Sequence, residues 1–239
     1  MNRVGVPSWA VVVWSMTLLG ASCEDSSVGL LPAMLRVAHF APEVPGIADT
    51  ELDFTILDQG SFERIAFARA SDYATLDPDL YFVDVTPVGV AGAPLAMVAP
   101  RVDVNLQYTL VAYRDVDETS GLSVLVAQED PRGPLFDGGS VVVVHGADDD
   151  VWRTVSVVDA DTEDVLVTDL AFGSQSAPFD LAAGMYNLRF DGVAPSAMID
   201  QGPVQVRVEP NETLLLVLID TDVTAGVVDA AVYSLGPST

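Results

Sequence analysis

The feature that most limits what this chain can fold into is an internal echo. Arg101–Asp115, RVDVNLQYTLVAYRD, returns as Arg207–Thr221, RVEPNETLLLVLIDT. Arg101 aligns with Arg207, Val102 with Val208, Asn105 with Asn211 and Val111 with Val217, all at one offset (207 − 101 = 106). His39 and His145 share that offset, whereas Phe67 with Phe172, Leu76 with Leu181 and Tyr81 with Tyr186 align at 105. Such a repeat implies one structural unit used twice, with small length changes confined to loops.

Within each unit the periodicity is that of strands. Leu35–Phe40 alternates apolar and polar residues, as does Leu52–Leu57, where Leu52, Phe54 and Ile56 share a face. Further strands are expected at Ile65–Tyr73, Leu80–Val85, Leu95–Val98, Arg101–Val104, Tyr108–Arg114 and Leu122–Ala127. The second unit offers Val141–His145, Thr154–Asp159, Val165–Ala171, Met185–Phe190, Val204–Val208, Leu214–Ile219 and Asp229–Ser234. Short strands with frequent turn signals predict an all-β chain, as two tandem immunoglobulin-like antiparallel β-sandwiches after an N-terminal signal segment. The units are expected at 34–129 and 140–236, joined by a Gly- and Pro-rich linker at 130–139. Glu209-Pro210-Asn211-Glu212 predicts a type I turn, and Asp103-Val104-Asn105-Leu106 should turn with it. Leu214–Ile219 is apolar on both faces, whereas a sandwich strand with one wet face alternates. Its outer face is therefore expected to be covered, by the other repeat or by a partner.

The first 22 residues look like an export signal: Arg3, the apolar run Trp9–Leu19, then small residues. Gly20-Ala21-Ser22-Cys23 resembles the lipobox of bacterial lipoproteins, with Gly20 where that pattern has Leu, Val or Ile. The resemblance implies acylation of Cys23, anchorage to the cell envelope (the outer membrane), and a tether over 23–33. The alternative is an ordinary secretory signal cleaved near Ser22. Cys23 is the sole cysteine, so no intramolecular disulfide can form.

The stretches RVAHFAPEVPG (36–46) and YTLVAYRD (108–115) resemble the domain-of-unknown-function 4397 family through Arg36, Val37, His39, Pro42, Tyr108 and Thr109. The second repeat keeps His145 but has Asp148 at the Pro position and Leu214-Leu215 in place of Tyr-Thr. The resemblance implies immunoglobulin-like sandwiches in tandem on secreted or lipid-anchored bacterial proteins.

Composition narrows the function classes. Ten basic residues, all Arg, face 35 acidic ones, for a net charge of −25. Such a surface repels phosphate backbones, which argues against nucleic acid as a partner. Without lysine there is no Schiff-base chemistry. No Gly-x-Ser-x-Gly elbow or phosphate-binding glycine loop occurs, so a non-enzymatic role is expected, in structure, adhesion or binding to an envelope protein or glycan. The two histidines are expected to tie down the loops that follow their strands.

Calcium or carbohydrate binding is the alternative. Asp115, Asp117, Asp148, Asp149, Asp150, Asp220 and Asp222 gather at strand ends and are the candidate cation ligands, since calcium takes oxygens from several segments. Asp159-x-Asp161-x-Glu163-Asp164 starts like a helix–loop–helix calcium loop but has Asp164 at the glycine position and Leu170 at the glutamate position. Trp152 is the candidate sugar platform. No cofactor is otherwise expected.

Overall fold

The computed structural model describes residues 32–42, 51–90, 92–129, 137–147, 153–192, 203–222 and 227–235, with 220–222 and 227–235 described by backbone alone. Cys23, Asp148, Asp149, Asp150 and Trp152 lie outside the described residues, as do the side chains of Asp220 and Asp222. Leu31–Thr239 is one compact unit, and among the described residues there are strands but no helix.

The first repeat contains β1 (Ala33–Phe40), β2 (Leu52–Ile56), β3 (Gly60–Ile65), β4 (Arg69–Ala70), β5 (Ala74–Leu76) and β6 (Asp79–Leu80). It continues with β7 (Val83–Pro87), β8 (Ala96–Val98), β9 (Arg101–Val102), β10 (Gln107–Arg114) and β11 (Leu122–Glu129). The second repeat contains β12 (Gly138–Gly146), β13 (Thr154–Asp159), β14 (Val165–Ala171), β15 (Ser174–Gln175) and β16 (Phe179–Ala182). It ends with β17 (Gly184–Gly192), β18 (Val204–Val208), β19 (Thr213–Asp222) and β20 (Val227–Leu235). β1 starts inside the segment read as tether, and β12 starts inside the segment read as linker.

Each repeat is built on a pair of facing sheets, and in the first repeat β6 and β9 pair separately. In the first, the order β11-β10-β1-β4 faces β3-β2-β7-β8; in the second, β15-β12-β19-β20 faces β14-β13-β17-β18. Leu35, Val37, Leu110 and Ala112 of one layer meet Leu52, Phe54, Val83 and Val85 of the other. Val141, Val143, Leu214 and Leu216 likewise meet Val155, Val157, Leu188 and Phe190. The all-β sandwich architecture expected from the alternation is present. The departure from antiparallel pairing is that the first strand of each repeat runs parallel to the long strand, β1 beside β10 and β12 beside β19.

Two expected strands turn out to change layer. Ile65–Tyr73 leaves β3 in one sheet, turns at Phe67-Ala68 and rejoins the other sheet as β4 beside β1. Ala68 takes a left-handed φ of 56° at that corner. Leu80–Val85 divides between β6, paired with β9, and β7, paired with β2. Alternation in sequence survives a change of layer, so it cannot reveal the break.

A third core joins the repeats. Ala38, Phe40, Val111 and Ala127 from the outer face of the β1–β10–β11 sheet pack with Val142, Val144, Leu215, Val217 and Ile219 from the β12–β19 sheet. The outer face of Leu214–Ile219 is thus covered by the first repeat. Period two dictates the division: Leu214, Leu216 and Leu218 point into their own sandwich, and the residues between them point to the neighbour. Fully burying such a side chain is worth about 1.5–3 kcal/mol.

Candidate functional site

The two histidines occupy matched positions. His39 Nδ1 accepts from the Ala41 amide (3.3 Å) and His145 Nδ1 from the Ala147 amide (3.4 Å). Each ring stands edge-on to a phenylalanine, Phe67 at 6.1 Å and Phe172 at 6.0 Å. Each histidine carbonyl also accepts from the left-handed corner residue, Ala68 in one repeat and Gly173 in the other (2.8 Å in both). Both side chains are fully buried. Each Nδ1 holds the amide two residues beyond its strand, as the sequence suggested, while the histidine carbonyls and the edge-on phenylalanines fasten the layer-changing corner to the first strand.

Of the acidic candidates, Asp115 and Asp117 can be placed. Asp115 Oδ1 accepts from the Asp117 amide (3.1 Å) and Oδ2 from the Ser123 hydroxyl (2.7 Å). Asp117 Oδ2 pairs with Arg153 of the second repeat at 3.1 Å. These carboxylates cap a turn and bridge the repeats. In the Asp159–Asp164 turn, Asp159 caps the Asp161 amide, Asp161 accepts from Asn187, and Glu163 takes both guanidinium nitrogens of Arg189. Arg189 holds the Glu163 carboxyl below its usual range. Among the described residues no group of three or more His, Cys, Asp or Glu is placed to hold a metal ion.

The predicted turns are present at Val104-Asn105 and Pro210-Asn211. Their type differs from the expectation. Asn105 and Asn211 have φ of 60° and 61°, and the Glu212 amide donates to the Glu209 carbonyl. A positive φ at the third turn position excludes type I and fits type II, where Asn is tolerated and Pro precedes it comfortably.

Sequence reasoning missed a buried polar cluster on the outer face of the first repeat. Arg36 Nε donates to Thr109 Oγ1 (2.8 Å), and the Thr109 hydroxyl donates to Glu129 Oε1. The Tyr73 hydroxyl donates to Glu129 Oε2 (2.6 Å), and the Arg36 guanidinium lies over the Tyr73 ring at 4.9 Å. Arg36 Nη2 is 3.7 Å from Glu129 Oε1 and makes no hydrogen bond. Burial pushes the Glu129 carboxyl up; Arg36 and the two hydroxyl donors offset only part of that. Burial and the adjacent Glu129 push the Tyr73 phenol up as well. The members are scattered along the chain and meet only through β1–β10 and β10–β11 pairing and, for Tyr73, the pairing of β4 and β5 with β1, so no local motif announces them.

An open groove of about 480 Å³ lies between β14 and the β15–β16 edge, with Leu166, Leu170, Gln175, Pro178 and Phe179 among its lining. Gln175 is engaged across the repeat boundary, accepting from the Gln128 amide (2.8 Å) and donating to its carbonyl (3.3 Å).

No family model matches the chain, and no curated protein matches it. Among solved structures, "The Bacillus anthracis TIE protein" is similar over 80% of this chain, at 13% identity and a TM-score of 0.24. The chain spans 34% of that structure's length.

Proposed function

We propose that this chain is a non-enzymatic, exported protein held at the cell envelope by acyl chains on Cys23, and that its folded part serves there as a rigid binding or display element. The observation that supports this most is the core shared between the repeats. Phe40, Val111, Leu215, Val217 and Ile219 bury the face of each repeat against the other. Two sandwiches fused in this way hold their outward surfaces in a fixed mutual arrangement, as presentation to an envelope protein or glycan requires. The lipobox-like Gly20–Cys23 and the strongly acidic surface, which keeps such a body soluble, accord with it.

Two experiments test the reading. Radiolabelled palmitate should enter the native protein in an exporting bacterial host and be lost in Cys23→Ala; equal labelling of the two would overturn the anchor. Tagged native protein should retain a distinct envelope component from detergent extracts of its source membrane. Retention of nothing beyond what an untagged control retains would overturn the binding role.

A further inference from the structure

One end of the first repeat carries an apolar strip that the second repeat keeps at only one of its four positions. Phe82 is 57% exposed, Met97 76%, Leu80 49% and Leu57 46%. The Leu57 amide donates to the Phe82 carbonyl (3.0 Å), so the two residues are neighbours across β2 and β7. Met97 lies one strand over, its Cα paired with Asp84, two residues beyond Phe82. Val83 points into the core and Phe82 outward, and Leu80, two residues earlier in β6, is exposed beside it.

The second repeat repeats this geometry with other side chains. The Ala160 amide donates to the Asn187 carbonyl (2.7 Å), as Leu57 does to Phe82, so Ala160 and Asn187 stand at the equivalent places. β18 begins at Val204, the counterpart of Val98, which sets Pro203 at the place of Met97. At the place of Leu80 stands Met185, itself 53% exposed, so it is Leu57, Phe82 and Met97 that set the first repeat apart.

Its position is linked to the start of the chain. Ala33 opens β1 and pairs with Leu76, while the Met34 amide donates to the Leu106 carbonyl. Leu80 is four residues beyond Leu76 (80 − 76 = 4), and Leu57, which opens the β2–β3 turn, is bound to Phe82 two residues further on. Cys23 precedes Ala33 by ten residues (33 − 23 = 10), which at full extension span at most about 35 Å. An acylated Cys23 therefore keeps this end of the first repeat within a short reach of the bilayer.

Resting on the anchor proposed above, we infer that Leu57, Leu80, Phe82 and Met97 seat the folded unit on the interfacial layer of that same bilayer. The occupant follows from the tether and from charge. Beside the strip stand exposed Asp58, Asp77, Asp79 and Asp103 and half-buried Asp84, against one cation among the described residues, Arg101, which pairs with Leu80 across β6 and β9 and lies 3.6 Å from Asp103; the acidic excess disfavours an anionic headgroup layer. Insertion is thus by apolar contact into neutral lipid, with the acyl chains supplying most of the affinity.

The test uses the acylated full chain with Phe82→Cys or, as control, Asn187→Cys, each carrying a polarity-sensitive fluorophore. The vesicles are phosphatidylcholine with a quencher on the acyl chains. Co-flotation with the vesicles, with several-fold stronger quenching at position 82 than at 187, supports the proposal. Co-flotation with equally weak quenching at both positions overturns the docking and leaves the anchor standing. Failure to float overturns the anchor and the docking with it. A blue shift at position 82 that rises with protein concentration and needs no vesicles identifies a second copy as the occupant and overturns the lipid assignment. Independently of the labels, hydrogen exchange around 57–59 and 80–82 should slow several-fold on vesicles for the native chain but not for Leu57→Ala/Phe82→Asn, which carries the second repeat's own residues. Equal slowing in both overturns it.

Discussion

The two repeats present opposite kinds of outer face to one another. At matched positions the first has Arg36, Ala38, Phe40, Thr109, Val111 and Tyr113, and the second has Val142, Val144, Gly146, Leu215, Val217 and Ile219. Size is exchanged at the far end: Tyr113 is large where Ile219 is smaller, and Gly146 is bare where Phe40 is bulky. A Cβ on Gly146 would stand 3.0 Å from Tyr113 Cβ, and one on Gly173 would stand 3.0 Å from the Tyr113 hydroxyl. Ala68, the counterpart of Gly173, keeps its side chain in spite of a left-handed φ. The lesson is that a duplicated fold can keep a common scaffold and still make a paired interface by unequal change on its two sides. At the near end, polarity is exchanged in the same way. The first repeat buries Arg36, Thr109 and Glu129 where the second has Val142, Leu215 and Leu235 in sequence.

The largest effects should come from unbalancing that polar end. Glu129→Ala leaves the Arg36 guanidinium buried without its carboxylate and is expected to cost about 3–5 kcal/mol in chemical denaturation. Arg36→Val/Thr109→Leu/Glu129→Leu, which installs the second repeat's residues, should be neutral or stabilising by about 1–4 kcal/mol. If the triple variant is as unstable as Glu129→Ala, the cluster does more than satisfy its own charges. Next comes the apolar end: Leu215→Ala should cost about 2–5 kcal/mol by removing packed volume from the shared core. Gly146→Ala, which places a Cβ 3.0 Å from the Tyr113 Cβ, should cost about 1–3 kcal/mol in chemical denaturation. A neutral Gly146→Ala would show that the Tyr113 segment gives way without cost.

The pH dependence has a definite sign. Glu129 has its folded-state affinity for protons raised. Its stabilising contribution is full below the ordinary carboxylate range and is lost as pH rises through the raised value. Melting temperature should therefore fall more between that range and neutrality in the native chain than in Glu129→Gln. The difference between the two profiles removes the self-repulsion that the acidic surface contributes to both. Parallel profiles would place the buried proton elsewhere. The smallest effect belongs to the exposed Arg153–Asp117 bridge between repeats, where Arg153→Ala should cost under about 1 kcal/mol and lose its effect in high salt.

Much of the scaffold is legible because it is written in short range. The paired echoes locate both long strands, the Asn-bearing turns and the buried histidines. The run LLLVLI calls for cover on both sides, and the structure supplies it from Val111 and Phe40. What resists reading depends on contacts between distant segments. Arg36 looks like one polar step in an alternating strand; only β10 and β11 bring Thr109 and Glu129 to it. The parallel registers and the corner at Ala68 are likewise decided by layer packing. Of the acidic candidates, the two whose side chains are described have a structural reason for their place. Asp115 and Asp117 sit at a strand end because aspartate caps turns, and their oxygens are already engaged by an amide, a hydroxyl and Arg153.

The central claim, that the two repeats form one body through the shared core, is tested most directly by calorimetry of the full chain. The account predicts one cooperative unfolding transition, with calorimetric and van't Hoff enthalpies equal. Two resolved transitions in the native chain, one for each repeat, would contradict it.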